Sequence, residues 1–285
     1  MPHSPLPLPL QFALRLRAMY PATVIRQAVS SHFPNPTLEA MRRDPSAGMR
    51  LAGLPPDPWQ IQVMRSPSRR MLFLCSRQVG KSTTAAALAL RKATLTAESL
   101  TLLLSPGERQ SGEIFRKVME QFRRLGRPIA TTKETALTVE FRNGSRIVAL
   151  PENEEAIRGY SGVGLLVIDE ASRVTDDLYR AVRPMLATSG GTLVGLSTPF
   201  GKRGWFFDAW TGKNDGAADP WERYKVTAAQ CPRITAEFLA EERAALGERW
   251  YNQEYFCTFE DAVDAVFSQV DIQAAVSADV TPLFG

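Results

Sequence analysis

Two short stretches hold the side chains most able to do chemistry: Arg77-Gln78-Val79-Gly80-Lys81-Ser82-Thr83, and Leu166-Val167-Ile168 followed by Asp169 and Glu170. Glycine, lysine and a hydroxyl in that order, between an apolar run and an alanine-rich segment, form a phosphate-binding loop. Free N–H groups at a helix start, backed by its dipole, attract an anion. Gly80 lets the backbone approach the phosphates, and Gln78, Val79 and Thr83 complete the loop. Lys81 can reach the β- and γ-phosphates of ATP, and the Ser82 hydroxyl can ligate Mg²⁺. Asp169 would hold the shell of that ion, and Glu170 would polarise an attacking water as general base. Each stretch also has a plainer reading: a strand-to-helix turn with a solvated lysine, and a buried strand ending in a solvated acidic turn. The loop departs from the usual G-x-x-x-x-G-K-[ST] pattern, which has glycine where this chain has Cys75.

The elements that must position these residues follow from the apolar pattern. Residues 71–75, 100–104, 164–168 and 192–196 are short apolar runs of the kind that make fully buried strands. Residues 84–93, 108–125 and 176–187 read as helices between them, and in 108–125 the apolar side chains from Ile114 to Leu125 share one face. Residues 138–141 and 145–150 flank Arg142-Asn143-Gly144, a hairpin signal. A further strand at 223–227 precedes two helices, 236–246 and 248–255, parted at Gly247. Alternating strands and helices predict an α/β fold, a mainly parallel sheet covered on both faces. Ligands of such sheets bind beyond the carboxyl ends of the strands, where Gly80, Asp169 and the Ser197-Thr198-Pro199 turn would meet.

Composition narrows the class. The 285 residues are 44% hydrophobic and carry a formal net charge of +4, with a mean hydropathy of −0.17 and a pI near 9.1. Such a chain can bury a sizeable core, and its mild basicity is compatible with a nucleic-acid partner. Three scattered cysteines give no disulfide framework and point to a reducing, cytosolic setting. The only two histidines are His3 and His32, outside the expected core, which argues against zinc or histidine acid–base chemistry. No apolar run reaches the roughly 18 residues needed to cross a bilayer, so no membrane association is expected. Residues 1–50 form a proline-rich extension without recognisable chemistry, and Met41 or Met49 are alternative starts.

Taken together, residues 73–83, 166–171 and 196–201 resemble the large subunit of a tailed-phage terminase, the ATP-driven motor that packages double-stranded DNA into a procapsid. That family tolerates a loop lacking its first glycine and often reads Arg-Gln-x-Gly-Lys-Ser/Thr, as residues 77–82 do here. Pro58-Trp59-Gln60 looks like its adenine-recognising segment, and Ile157-Arg158-Gly159-Tyr160 like a motif it carries before the acidic strand. The resemblance implies a P-loop NTPase fold of the ASCE type, with an ATPase core at 51–228, a lid subdomain at 229–260 and a linker at 261–285. It implies adenine contact by Gln60. Arg77 would sit near the γ-phosphate or hold Glu170 inactive, and Ser197 and Thr198 would couple hydrolysis to motion. Arg158 would be an arginine finger in a ring of subunits, or else a loop arginine that binds DNA or caps a strand. Implied partners are double-stranded DNA, a portal protein and the terminase small subunit, in the host cytoplasm. Arg69-Arg70, Arg123-Arg124 and Lys202-Arg203 are candidate phosphate contacts or solvated surface pairs. The family's nuclease domain is not expected, since Asp261, Asp264 and Asp271 lack a strand-rich segment around them. Two other readings stand beside this one: a truncated prophage remnant that binds nucleotide or partner subunits without packaging DNA, and a helicase-like ATPase.

Overall fold

The computed structural model describes residues 35–152, 157, 159–212 and 221–260. The expectations for 1–34 and 261–285, His3 and His32 included, lie outside them.

The sheet has eight strands: β1 (Arg70–Cys75), β2 (Leu100–Ser105), β3 (Thr131–Glu134), β4 (Thr138–Phe141), β5 (Arg146–Pro151), β6 (Val163–Asp169), β7 (Thr192–Ser197) and β8 (Glu222–Val226). Their order is β3-β4-β5-β2-β6-β7-β1-β8. The run from β5 to β8 is parallel, and β4 and β3 add antiparallel pairings at one edge. The strand bearing the phosphate loop is therefore separated from the acidic strand by β7, whose partners are Leu74↔Ser197 on one side and Asp169↔Leu196 on the other. That register brings the ends of β1, β6 and β7 level with one another, which is what a shared site requires.

Alternate side chains of each central strand enter different layers. Met71, Phe73 and Cys75 join the core under α4 (Lys81–Leu95) and α5 (Glu108–Arg124). Leu72 and Leu74 join the opposite core, with α6 (Asp176–Val182) and α7 (Gly204–Thr211). Burial on both faces is why these strands read as unbroken apolar runs instead of alternating ones.

Three short helices precede β1: α1 (Pro36–Arg43), α2 (Ala47–Leu51) and α3 (Pro58–Arg65). The first two of them fall within the expected 1–50 extension or at its edge. Met41 and Met49 are buried, Met41 in the core under α4 and Met49 against Met64 and Ala87. The helix expected over 176–187 ends at Val182 and continues as a 3₁₀ turn, Arg183–Leu186. Pro184 lacks the N–H an α-helix needs there, and its ring would collide with the preceding turn. Two elements left no usable signal. Three of the four residues of β3 are exposed, as on an unalternating edge, and α7 hides in an aromatic run, Trp205-Phe206-Phe207.

The last described helix, α8 (Ala236–Phe256), is broken at Gly247, where φ is 76° and ψ is 162°. Its second half docks through Tyr251 and Tyr255 on Ala228, and the Tyr255 hydroxyl donates back across the break to Glu242 at 2.7 Å. Residues 237–238 and 240–250 are exposed or half-buried. No helix among the described residues is long and apolar enough to cross a membrane.

Candidate functional site

The loop between β1 and α4 holds two left-handed residues, Gln78 at φ 62° and Gly80 at φ 93°. Gly80 has a second constraint. A Cβ there would lie 2.9 Å from Gln60 Nε2, so a side chain would strain the backbone and displace the Gln60 amide from its bonds. Thr84 N donates to the Gly80 carbonyl at 3.0 Å and opens the helical ladder. The N–H groups of Lys81, Ser82 and Thr83 come before that bond, at the positive end of α4, free for an anion. Val79 is fully buried and pins the loop to the core. Departure from the usual pattern at Cys75 is explained by position: Cys75 is the last residue of β1, fully buried beside β8, and not part of the loop.

Gln60 braces this loop from α3. Its Oε1 accepts from Asp57 N at 2.8 Å, and its Nε2 donates to Thr84 Oγ1 at 2.8 Å and to the Gly80 carbonyl at 3.4 Å. Lys81 Nζ bonds Glu170 Oε1 at 2.8 Å, and Ser82 Oγ donates to Asp169 Oδ2 at 3.5 Å. The two stretches singled out in the sequence therefore touch through both of their pairs. Glu170 is itself left-handed, at φ 49°, an uncommon state for a non-glycine residue and one that concentrates at functional positions.

Electrostatics follow from burial. Desolvation raises the Asp169 pKa to about 6, although Lys81, the Glu170 N–H and Lys117 all favour its charged form. Burial works against the charge of Lys81, but the Glu170 and Asp169 carboxylates more than offset it and raise its pKa. A carboxylate held at such cost beside a hydroxyl fits a hard divalent cation. Among the described residues no cluster of three or more His, Cys, Asp or Glu side chains could hold a metal ion. Mg²⁺ commonly takes only one or two protein carboxylates together with substrate phosphates, and Ser82 and Asp169 supply an oxygen-only donor set of that kind.

Arg77 pairs with Glu254 of α8, while Glu170 is held by Lys81. Ser197 and Thr198 are buried where β7 ends. Ser172 donates to the Thr198 carbonyl at 2.8 Å, which leaves Ser197 as donor in the 2.6 Å contact between the two serine hydroxyls. The end of β7 is thus fastened two residues beyond Glu170. Arg158 lies outside the described residues.

A cleft of about 470 Å³ opens over the loop, with Gln60, Arg77, Gln78, Lys81, Ser82 and Thr83 in its wall. Lys117 and Arg233 also line it, and sequence reasoning missed both. Lys117 is a polar residue of α5 outside its buried stripe. Arg233 Nη1 and Nη2 grip Asp57 Oδ1 and Oδ2 at 3.0 and 2.7 Å. No local pattern announces that pair, since its partners lie far apart in the chain.

Comparison with known proteins gives a family by sequence profile and a fold by superposition. The sequence profile of the terminase large subunit, T4likevirus-type, N-terminal family matches residues 72–274. The terminase large subunits of Thermus phage G20c and Thermus virus P23-45 are 24% and 25% identical over 260 residues, covering 78% of this chain and 52% of each relative. The chain thus spans about half the length of the curated relatives it matches. The large terminase ATPase domain of Thermus phage P74-26 superposes with a TM-score of 0.66 at 20% identity, over 74% of this chain and 97% of that one. The large terminase of a thermophilic bacteriophage, in a complex with ADP, gives 0.60 at 12% identity, over 72% and 54%. That of bacteriophage HK97 gives 0.58 at 14%, over 75% and 55%. At these identities the superpositions speak for the fold, a P-loop NTPase sheet.

Proposed function

This chain belongs to the terminase large-subunit family, and on that footing we propose that it is the Mg²⁺-dependent, ATP-hydrolysing part of a phage DNA-packaging motor. The observation that carries the reading is the double junction at the mouth of the loop, Lys81 on Glu170 and Ser82 beside Asp169. ATP phosphates would settle on the free N–H groups of α4 and compete for Lys81. Taking that ammonium frees the Glu170 carboxylate, which then accepts a proton from the attacking water. Ser82 and Asp169 would hold Mg²⁺, which when bound neutralises charge on the β- and γ-phosphates.

The remaining assignments follow from position. Gln60 Oε1 keeps one lone pair after bonding Asp57 N, enough to accept from the adenine amino group. Arg77 is drawn from Glu254 toward the γ-phosphate, which loosens α8. Ser197 and Thr198, tied to the Glu170 turn through Ser172, pass the state of the site to β7. Arg158 completes a neighbouring subunit's site as an arginine finger, a contribution on the order of 10³–10⁵ in rate. Double-stranded DNA, a portal protein and the small subunit are the partners of this reading, in the host cytoplasm.

ATP turnover by the purified chain, followed with protein concentration and with Mg²⁺ added or chelated, tests it. Turnover that needs Mg²⁺, rises more than proportionally with concentration and falls in Arg158→Ala is expected. Turnover unaffected by chelation overturns the assignment of Ser82 and Asp169.

A further inference from the structure

A second cavity, of about 530 Å³, opens at the other end of the sheet and is lined by Arg70, Arg180, Arg183 and Gly190. Arg70 begins β1, and Gly190 lies just ahead of β7, so this cavity faces away from the carboxyl-end loops that form the nucleotide cleft. Among the described residues its guanidinium groups, Arg180 excepted, have neutral partners. Arg70 donates to the carbonyls of Gly191 at 3.0 Å and Arg69 at 2.8 Å. Arg183 lies 5.5 Å from the centre of the Tyr179 ring. Arg69 packs so closely on Gly190 that a Cβ there would meet its Nη1 at 2.9 Å. Only Arg180 has a carboxylate, the exposed Asp177 at 3.1 Å. Arg69, Arg70 and Arg183 have none among the described residues. Burial, followed by the charge of Arg183, lowers the Arg70 pKa. Like charges gathered around a cavity await an anion, and three planar forks match phosphate oxygens.

We infer that this arginine-lined cavity binds phosphate groups of a nucleic-acid backbone, as a DNA contact separate from the ATP site. The inference rests on the reading that the chain works on DNA. Backbone phosphate is favoured over a single small anion because the lining arginines come from both sides of an open cavity, Arg70 from the start of β1 and Arg180 and Arg183 from α6 and the turn after it.

The test is anisotropy of a labelled DNA duplex with the full chain, from about 50 to 200 mM salt. It compares wild type, Arg183→Gln, the double variant Arg70→Gln/Arg183→Gln, and Arg42→Gln/Arg243→Gln as a surface control. The double variant is expected to bind roughly tenfold more weakly at low salt, with a salt dependence shallower by about 1 per arginine removed. ATP turnover without DNA should match wild type. Arg183 is exposed, so the single variant keeps the test open if Arg70→Gln does not fold. Duplex binding equal to wild type in folded variants overturns the inference. So does binding of inorganic pyrophosphate that the variants lose while duplex binding persists, which would make this a small-anion site. A wild-type chain that hydrolyses ATP but binds no duplex overturns the inference and the DNA partner, leaving the ATPase reading in place.

Discussion

Glu170 is placed by two opposing demands. Its backbone sits in the left-handed region, and its carboxylate is committed to Lys81 at 2.8 Å. The same lysine is the group that ATP phosphates would take in the proposed mechanism. In that mechanism, removing the carboxylate charge would do two separable things: delete the general base, and delete a competitor for Lys81. Asp44 is a second carboxylate committed to its neighbours, and there the partners favour its charge. Burial alone would raise its pKa, but Ser46 and Arg50 outweigh that and hold it well below the usual carboxylate range. A depressed folded pKa gives stability that is present above the unfolded value and lost as pH falls from there through the folded one. Asp44→Asn should thus cost about 1 kcal/mol at pH 7. Urea titrations should find the gap between variant and wild type closing as pH drops below about 4. A gap that persists in acid contradicts the assignment.

At the scale of elements, the geometry of the site depends on close seams between strands and on contacts from α8 and the segment before it. A Cβ on Gly191 would lie 2.1 Å from the Val163 carbonyl oxygen, so Gly191→Ala must push β7 away from β6. We expect a loss of about 2 kcal/mol, a fall in Tm of roughly 4–8 °C; an unchanged melting curve would show that the seam yields freely. The Arg233–Asp57 grip joins the segment after β8 to the start of α3. Asp57 is largely buried, with 10% of its side chain exposed, and Arg233 is 53% exposed. Arg233→Ala leaves a buried carboxylate unpaired, whereas Asp57→Asn leaves only a solvated guanidinium. Arg233→Ala should therefore destabilise more, with a coupling between the two sites of about 1 kcal/mol. Equal losses that simply add would deny the pair any role.

For the whole molecule, the sequence disclosed what is local and periodic. The apolar runs of β1, β2, β6 and β7 located the central strands, and Gly-Lys-Ser with Asp-Glu picked out the two stretches that the fold brings into contact. Gly247 marked the break in α8. What stayed hidden depends on contacts distant in sequence. The docking of α1 and α2 rests on Met41 and Met49, whose burial no pattern of period 3.6 announces in helices this short. Lys117 reaches the cleft only because α5 packs beside α4, and Arg70 and Arg183 meet only because β1 lies next to β7. Resemblance to terminase large subunits supplied roles for Gln60 and Arg77. The fold adds that Gln60 braces the loop and that Arg77 is engaged by α8.

The most direct measurement is phosphate release by Glu170→Gln set against its ATP affinity, with wild type alongside. The account predicts turnover lower by about 10²–10⁴ with ATP bound at least as tightly as by wild type, because Lys81 has lost its competitor. Turnover at the wild-type rate would contradict the assignment of Glu170 as base, and with it the mechanism built on the Lys81 pair.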